Sequence, residues 1–128
     1  MIPSAIRKAQ KAHRAALEVT YDGVCKVYRN ESVRDPDTGV TSKKEVCSVE
    51  NQPCHLSFSS FSAADGTGTV TNVTQIIKLF LAPEIVIEPG SRIEVTQQGR
   101  TESYGQSGKA AVYSSHQEII LELWKGYA

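Results

Sequence analysis

Long hydrophobic runs are missing from this chain. Its most apolar stretch, Ile76 to Ala82, is interrupted by Lys78, so no segment predicts a bilayer span. Net charge is missing as well. Fourteen Lys and Arg balance fourteen Asp and Glu, which argues against capture of nucleic acid by bulk charge and against an acidic solvating tail. The front of the chain has basic residues but neither a continuous apolar segment nor a cleavage pattern, so no secretory leader is expected and cytoplasmic synthesis is the default. Cysteine is scarce: Cys25, Cys47 and Cys54 cannot all pair within one chain, and without a leader free, buried or half-buried thiols are expected. Their spacing, even with His55 beside Cys54, fits no zinc knuckle or ribbon. No metal or other cofactor is therefore expected.

The 128 residues suit one domain, and a hydrophobic content of 40% against 22% charged is enough for a core. The overall neutrality hides an asymmetry. Residues 1–18 hold Arg7, Lys8, Lys11 and Arg14 against Glu18 alone, and the remainder is acidic by the same margin. A basic front on an acidic body hints at docking between copies or with a partner.

Ile2, Ala5, Ile6, Ala9, Ala12, Ala16 and Leu17 recur at helical spacing, predicting an amphipathic helix that starts at Pro3 or Ser4 and stops between Leu17 and Tyr21. Its stripe is mostly alanine, which buries little area, so the helix has to lie on the body or on a neighbour. From Gly23 the texture becomes β-branched and aromatic. Two strands flank the turn formers Asp35 to Gly39, the second with a break at Asn51-Gln52-Pro53. Further strands are expected at Thr74 to Leu81, Ile85 to Ile87, Ser91 to Gln97, Arg100 to Tyr104, Lys109 to Ser114 and Gln117 to Trp124. The fold class expected is mainly β: a small antiparallel barrel or sandwich over 23–128 after an N-terminal helix over 1–22. Val24, Val27, Ile76, Leu79, Leu81, Ile85, Ile93, Val95, Val112, Ile120 and Leu121 are the expected core. Trp124 is expected at a barrel end or between copies, and Tyr127 and Ala128 too near the end to be held. Residues 57–73, rich in Ser, Gly and Thr, read as a long flexible loop.

Chemistry is harder to find. Asp65-Gly66-Thr67-Gly68-Thr69 lacks the Lys-Ser/Thr of a nucleotide loop and opens no helix. Cys54 and His55 are strand neighbours and point to opposite faces, so they make no nucleophile–base pair. His116 reads as a satisfied turn or barrel-end histidine, and Asp35 with Asp37 and Glu84 with Glu88 as solvated carboxylates in turns and at strand ends. Tyr28 with Arg29 and Arg100 with Tyr104 are the two candidate stacking pairs for an oligonucleotide. No catalytic constellation emerges, so a non-enzymatic protein is expected.

The order of features after Gly23 resembles the small head–tail connector proteins of tailed bacteriophages, both the head-closure (stopper) and the minor capsid branch. The features are the Asp35 to Gly39 turn, the Ser57 to Asn72 segment, Ile76 to Leu81, the Ile87 to Val95 stretch containing Pro-Gly-Ser and Arg-Ile-Glu-Val, and the closing Gly108 to Leu121. That resemblance implies a virion protein of the neck, made in the bacterial cytoplasm and assembled into a ring on a portal or adaptor, with tail proteins as partners and no membrane. It implies a channel-gating loop at Ser59, Ser60, Ser62, Asp65, Gly66, Thr67, Gly68 and Thr69, past which packaged double-stranded DNA moves or is held without sequence recognition. It implies protein docking through Arg7, Lys8, Lys11, Arg14 and Trp124. A tail terminator or tail-completion protein and a small oligonucleotide-binding barrel are the alternatives.

Overall fold

A computed structural model describes the backbone of residues 3–64 and 71–127 and the side chains of 3–60 and 74–127. One helix, α1 (Ser4–Glu18), precedes seven strands: β1 (Gly23–Arg34), β2 (Thr41–Ala64), β3 (Thr71–Leu81), β4 (Arg92–Gln97), β5 (Arg100–Gln106), β6 (Ala111–Val112) and β7 (Gln117–Leu123). All pairings are antiparallel, in the order β3-β2-β1-β4-β5-β7-β6, and β3 also pairs with β7. That last pairing closes the sheet on itself, which removes the edges of its central segment. The fold is mainly β with one N-terminal helix, as the residue pattern predicts.

The core follows from strand parity. Cys25 and Val27 from β1, Cys54 and Leu56 from β2, Leu79 and Leu81 from β3, Ile93 and Val95 from β4, and Ile119 and Leu121 from β7 point inward at alternate positions, with Tyr104 from β5. Three expected core residues lie outside: Val24, Val112 and Ile120 are exposed. Each is next to or outside an inward position, and a one-residue step along a strand changes the face. The expected strand at Ile85 to Ile87 is irregular chain instead. It has no strand beside it, and the buried Gln117 amide donates to the carbonyls of Ala82 (2.8 Å) and Ile85 (2.6 Å), leaving Ile85 and Ile87 packed on the core. The strand expected over Lys109 to Ser114 shrinks to Ala111–Val112 for a similar reason: only Glu118 and Gln117 pair with it.

β2 is the spine. Its break at Asn51-Gln52-Pro53 is a bulged region: the β1–β2 register shifts between Cys25 and Tyr28, and Asn51 takes φ 51°, a conformation its side chain tolerates. Pro53 pairs toward β1 while β3 joins only from Cys54, so its missing N–H costs no ladder bond. At the β1–β2 turn Asp35 accepts from the Asp37 N–H (2.9 Å) and Gly39 adopts φ 71°. Cys47 is exposed, contrary to expectation, whereas Cys25 and Cys54 are buried. The Cys54 thiol is pushed up by its hydrogen bond with Cys25 and by burial.

Arg92 ties the outer face together. It donates to Glu45 (2.6 and 3.0 Å), Glu94 (3.2 Å) and Ser103 (2.9 Å), and its guanidinium lies 4.3 Å from the Tyr28 ring centre. Tyr127, expected to be loose, also donates to Glu45 (2.8 Å) and meets Trp124 edge-on. Ala128 lies outside the described residues. Hydrogen bonds from Arg92 first and Tyr127 second hold the Glu45 carboxyl below its ordinary value of 4.5. A carboxylate shifted downward stabilises the fold above its unfolded pKa, and that contribution disappears as pH falls through the folded pKa. Acid titration of thermal unfolding is therefore expected to show wild type converging on Glu45→Gln below about pH 4.5. A constant gap between the two would exclude the ion pair as its cause.

Candidate functional site

Helix α1 is almost detached. Pro3 precedes it with its carbonyl accepting from Ile6 and Arg7, so Ser4 is the first helical residue and makes no side-chain cap. None of its residues is buried, and only Gln10, Arg14 and Leu17 are half-buried. These three define the side turned toward the body. Ala5, Ile6, Ala9, Ala12 and Ala16 of the apolar stripe are exposed, as is His13. The helix is tied to the body through its C-terminal half. Arg14 bonds Glu18 (2.6 Å) and Glu84, which raises its own pKa and holds Glu84 below the ordinary carboxylate value. Leu17, Thr20 and Tyr21 line a 220 Å³ hollow with His55, Ser57 and Phe80. Arg7, Lys8 and Lys11 have no ion-pair partner among the described residues.

Where β2, β4 and β5 come together lies a cleft of about 310 Å³, lined by Leu56, Phe58, Val95, Gln97, Gln98, Arg100, Glu102 and Tyr104. Barrel mouths are ordinary places for binding. β1 begins at Gly23, opposite Cys54, so β2 loses that neighbour from Leu56 onward. Gln97 fills the gap: its amide oxygen accepts from the Leu56 N–H (2.7 Å) and its amide nitrogen donates to the Leu56 carbonyl (3.2 Å), as a strand residue would. Gly23 makes room for it, since a Cβ there would meet the Gln97 oxygen at 2.9 Å and the Cys54 carbonyl at 3.2 Å. Gln97→Ala is expected to lower stability by about 1–2 kcal/mol, because two part-buried backbone groups lose their partners. Urea unfolding measures it; an unchanged midpoint means water replaces the amide at no cost.

Past that point β2 and β3 stay paired to Ala64↔Thr71, and from Ser59↔Ile76, where β7 no longer flanks β3, they run on as a two-stranded ribbon. This corrects the loop expected over 57–73: residues 57–64 and 71–73 are strand. Phe58, Thr71, Val73 and Thr74 favour a pleated backbone, and the serines between them only need to pair. Ser59 and Ser60 are exposed positions on the ribbon. The Ser62 side chain and Asp65, Gly66, Thr67, Gly68 and Thr69 lie outside the described residues.

On the outer face, four rings form a row across the sheet. His55 and Phe80 have centres 6.3 Å apart, Phe80 and His116 5.7 Å, and His116 and Tyr113 5.0 Å, the last two pairs stacked. Sequence reasoning missed this row; cross-strand register, not spacing, creates it. His55 bonds Asp22 (2.8 Å), and His116 bonds Ser115 (2.9 Å) and Glu118 (3.0 Å), which makes His116 the satisfied turn histidine expected. Of the two stacking pairs, Tyr28 lies beneath Arg92 while Arg29 pairs with Glu31 (2.7 Å), so they form no joint site. Arg100 and the buried Tyr104 both line the cleft. Trp124 is half-buried and lies over Gly105, where a Cβ would meet its ring at 3.6 Å.

Among the described residues no helix is long and apolar enough to cross a membrane. No family model matches the chain, and no curated protein matches it. Among solved structures, the phage-like element PBSX protein xkdH from Bacillus subtilis aligns with 10% identity and a TM-score of 0.44, over 77% of this chain and 90% of that one. A likeness at that level leaves function to the residues themselves.

Proposed function

We propose that this chain is a structural protein of a tailed phage or prophage particle, a ring-forming component that joins head to tail at the neck. The observation that carries this reading is α1: a 15-residue amphipathic helix without one buried side chain. Helices of that length gain most of their stability from packing, so an unpacked one implies a partner surface. Arg7, Lys8 and Lys11 give that surface an acidic complement, a portal, adaptor or tail protein. The resemblance in the order of turns and strands adds the neck and the role of the 57–73 segment toward packaged DNA. Labelling the helix in assembled particles and imaging them tests it. Density at the neck supports the reading, density at the tail end assigns the chain to the tail terminator, and absence from particles overturns both.

A second reading has its own observation. The His55, Phe80, His116, Tyr113 row is a set of flat rings on an outer face, the kind of platform on which single-stranded bases stack. Salt-dependent binding of single-stranded DNA that is lost in Tyr113→Ala supports it; no binding at low salt removes it.

A further inference from the structure

Among the described residues the ribbon has two open edges. Because Leu56 turns its N–H and carbonyl to Gln97, strand alternation directs those of Phe58 and Ser60 to the same side. β1 does not reach there. Leu56 pairs with Leu79, so Leu79 directs its backbone groups toward β7, as do Ile77 and Gln75 two and four residues away. β7 pairs with β3 only from Ile77 to Leu81, which leaves the Gln75 groups without a strand among the described residues.

Open edges invite pairing, and proteins protect them with charge. The opposite ribbon of this molecule is protected: Arg29 to Arg34 and Thr41 to Glu45, beyond the reach of β4 and β3, carry Arg29, Glu31, Arg34, Lys43, Lys44 and Glu45. The β2–β3 ribbon is not. Leu56 to Ala64 and Thr71 to Ile77 hold no charged residue, and Phe58 is 53% exposed beside the cleft.

We propose that copies of this chain associate edge to edge, the β2 edge at Phe58 and Ser60 of one copy pairing with the β3 edge at Gln75 of the next. The occupant is a second copy because one ribbon carries both halves of the match. Placed side by side with the same orientation, β3 of one copy runs antiparallel to β2 of its neighbour, and neither side has charge to repel the other. The contact is heterologous, so it closes into a ring or continues as a filament. It deepens the ring reading and rests on it only in that copies self-associate.

Proline tests it without disturbing the ribbon, since the N–H groups of Ser60 and Gln75 face outward and serve no strand pairing among the described residues. Ser60→Pro and Gln75→Pro, checked for folding by circular dichroism, are each expected to weaken association by about a hundredfold and run as monomers by light scattering. Mixed together they are expected to form a dimer and nothing larger, because each retains the edge the other lacks. Variants that keep the wild-type mass overturn edge pairing while the ring stands. No dimer in the mixture overturns the heterologous match. A wild type that stays monomeric at high concentration overturns both the pairing and self-association, and leaves the edge to a strand from another protein.

Discussion

Alanine at Ile119 is expected to destabilise the protein by about 3 kcal/mol, whereas alanine at Ile120 costs less than about 1 kcal/mol. The two residues are identical in chemistry and adjacent in β7, yet Ile119 is 1% exposed and Ile120 37%. Ile119 pairs with Leu79, itself fully buried, across the β3–β7 junction that closes the sheet. Truncating it leaves a cavity bounded by strands that cannot collapse inward without breaking the closure, so the cost combines lost transfer energy with the void. Against a typical stability of about 5–15 kcal/mol, this loss lowers the melting temperature by roughly 10 °C. Chemical unfolding of both variants decides the matter. Equal losses at the two positions would mean that β7 turns the other face inward.

That contrast also shows how far residue patterns carry. The class of fold, the helix, the first hairpin and most strand positions are readable because parity, turn formers and helical spacing are local signals. Cys25 and Val27 alternate with Val24 and Lys26 in the sequence, and the structure keeps that alternation. Which phase faces inward is not local. In Ile119-Ile120-Leu121 every residue is apolar, so only the pairing of β7 with β3 and β5 selects 119 and 121. The serine-rich segment reads as a loop because serine is a turn former, but cross-strand pairing with Thr71 to Lys78 overrides that preference. Long-range bonds such as Gln97 with Leu56, and the ring row from His55 to Tyr113, depend on register and leave no mark on spacing. Of the candidate site, the unpaired basic residues of the helix were legible, and the open ribbon edges were not.

Reversing the charge of the helix, with Arg7→Glu, Lys8→Glu and Lys11→Glu together, is expected to abolish incorporation into particles while leaving the barrel's unfolding unchanged. The three side chains are exposed and hold no ion pair among the described residues, so nothing in the fold depends on their sign. Their placement works against the helix itself. Cations near an N-terminus oppose the macrodipole, at a cost of about 0.3–1 kcal/mol each where they fall in the first turn, and no acidic residue offsets them there. The reversed helix is therefore expected to be more helical by circular dichroism, not less. Stability within the monomer gives no reason for this arrangement, and attraction to an acidic surface does. Arg14 is left in place because it clips the helix to Glu84, so the variant keeps its attachment and changes only its exposed face. Wild-type incorporation of the triple variant into particles would show that the apolar stripe, and not charge, carries the docking.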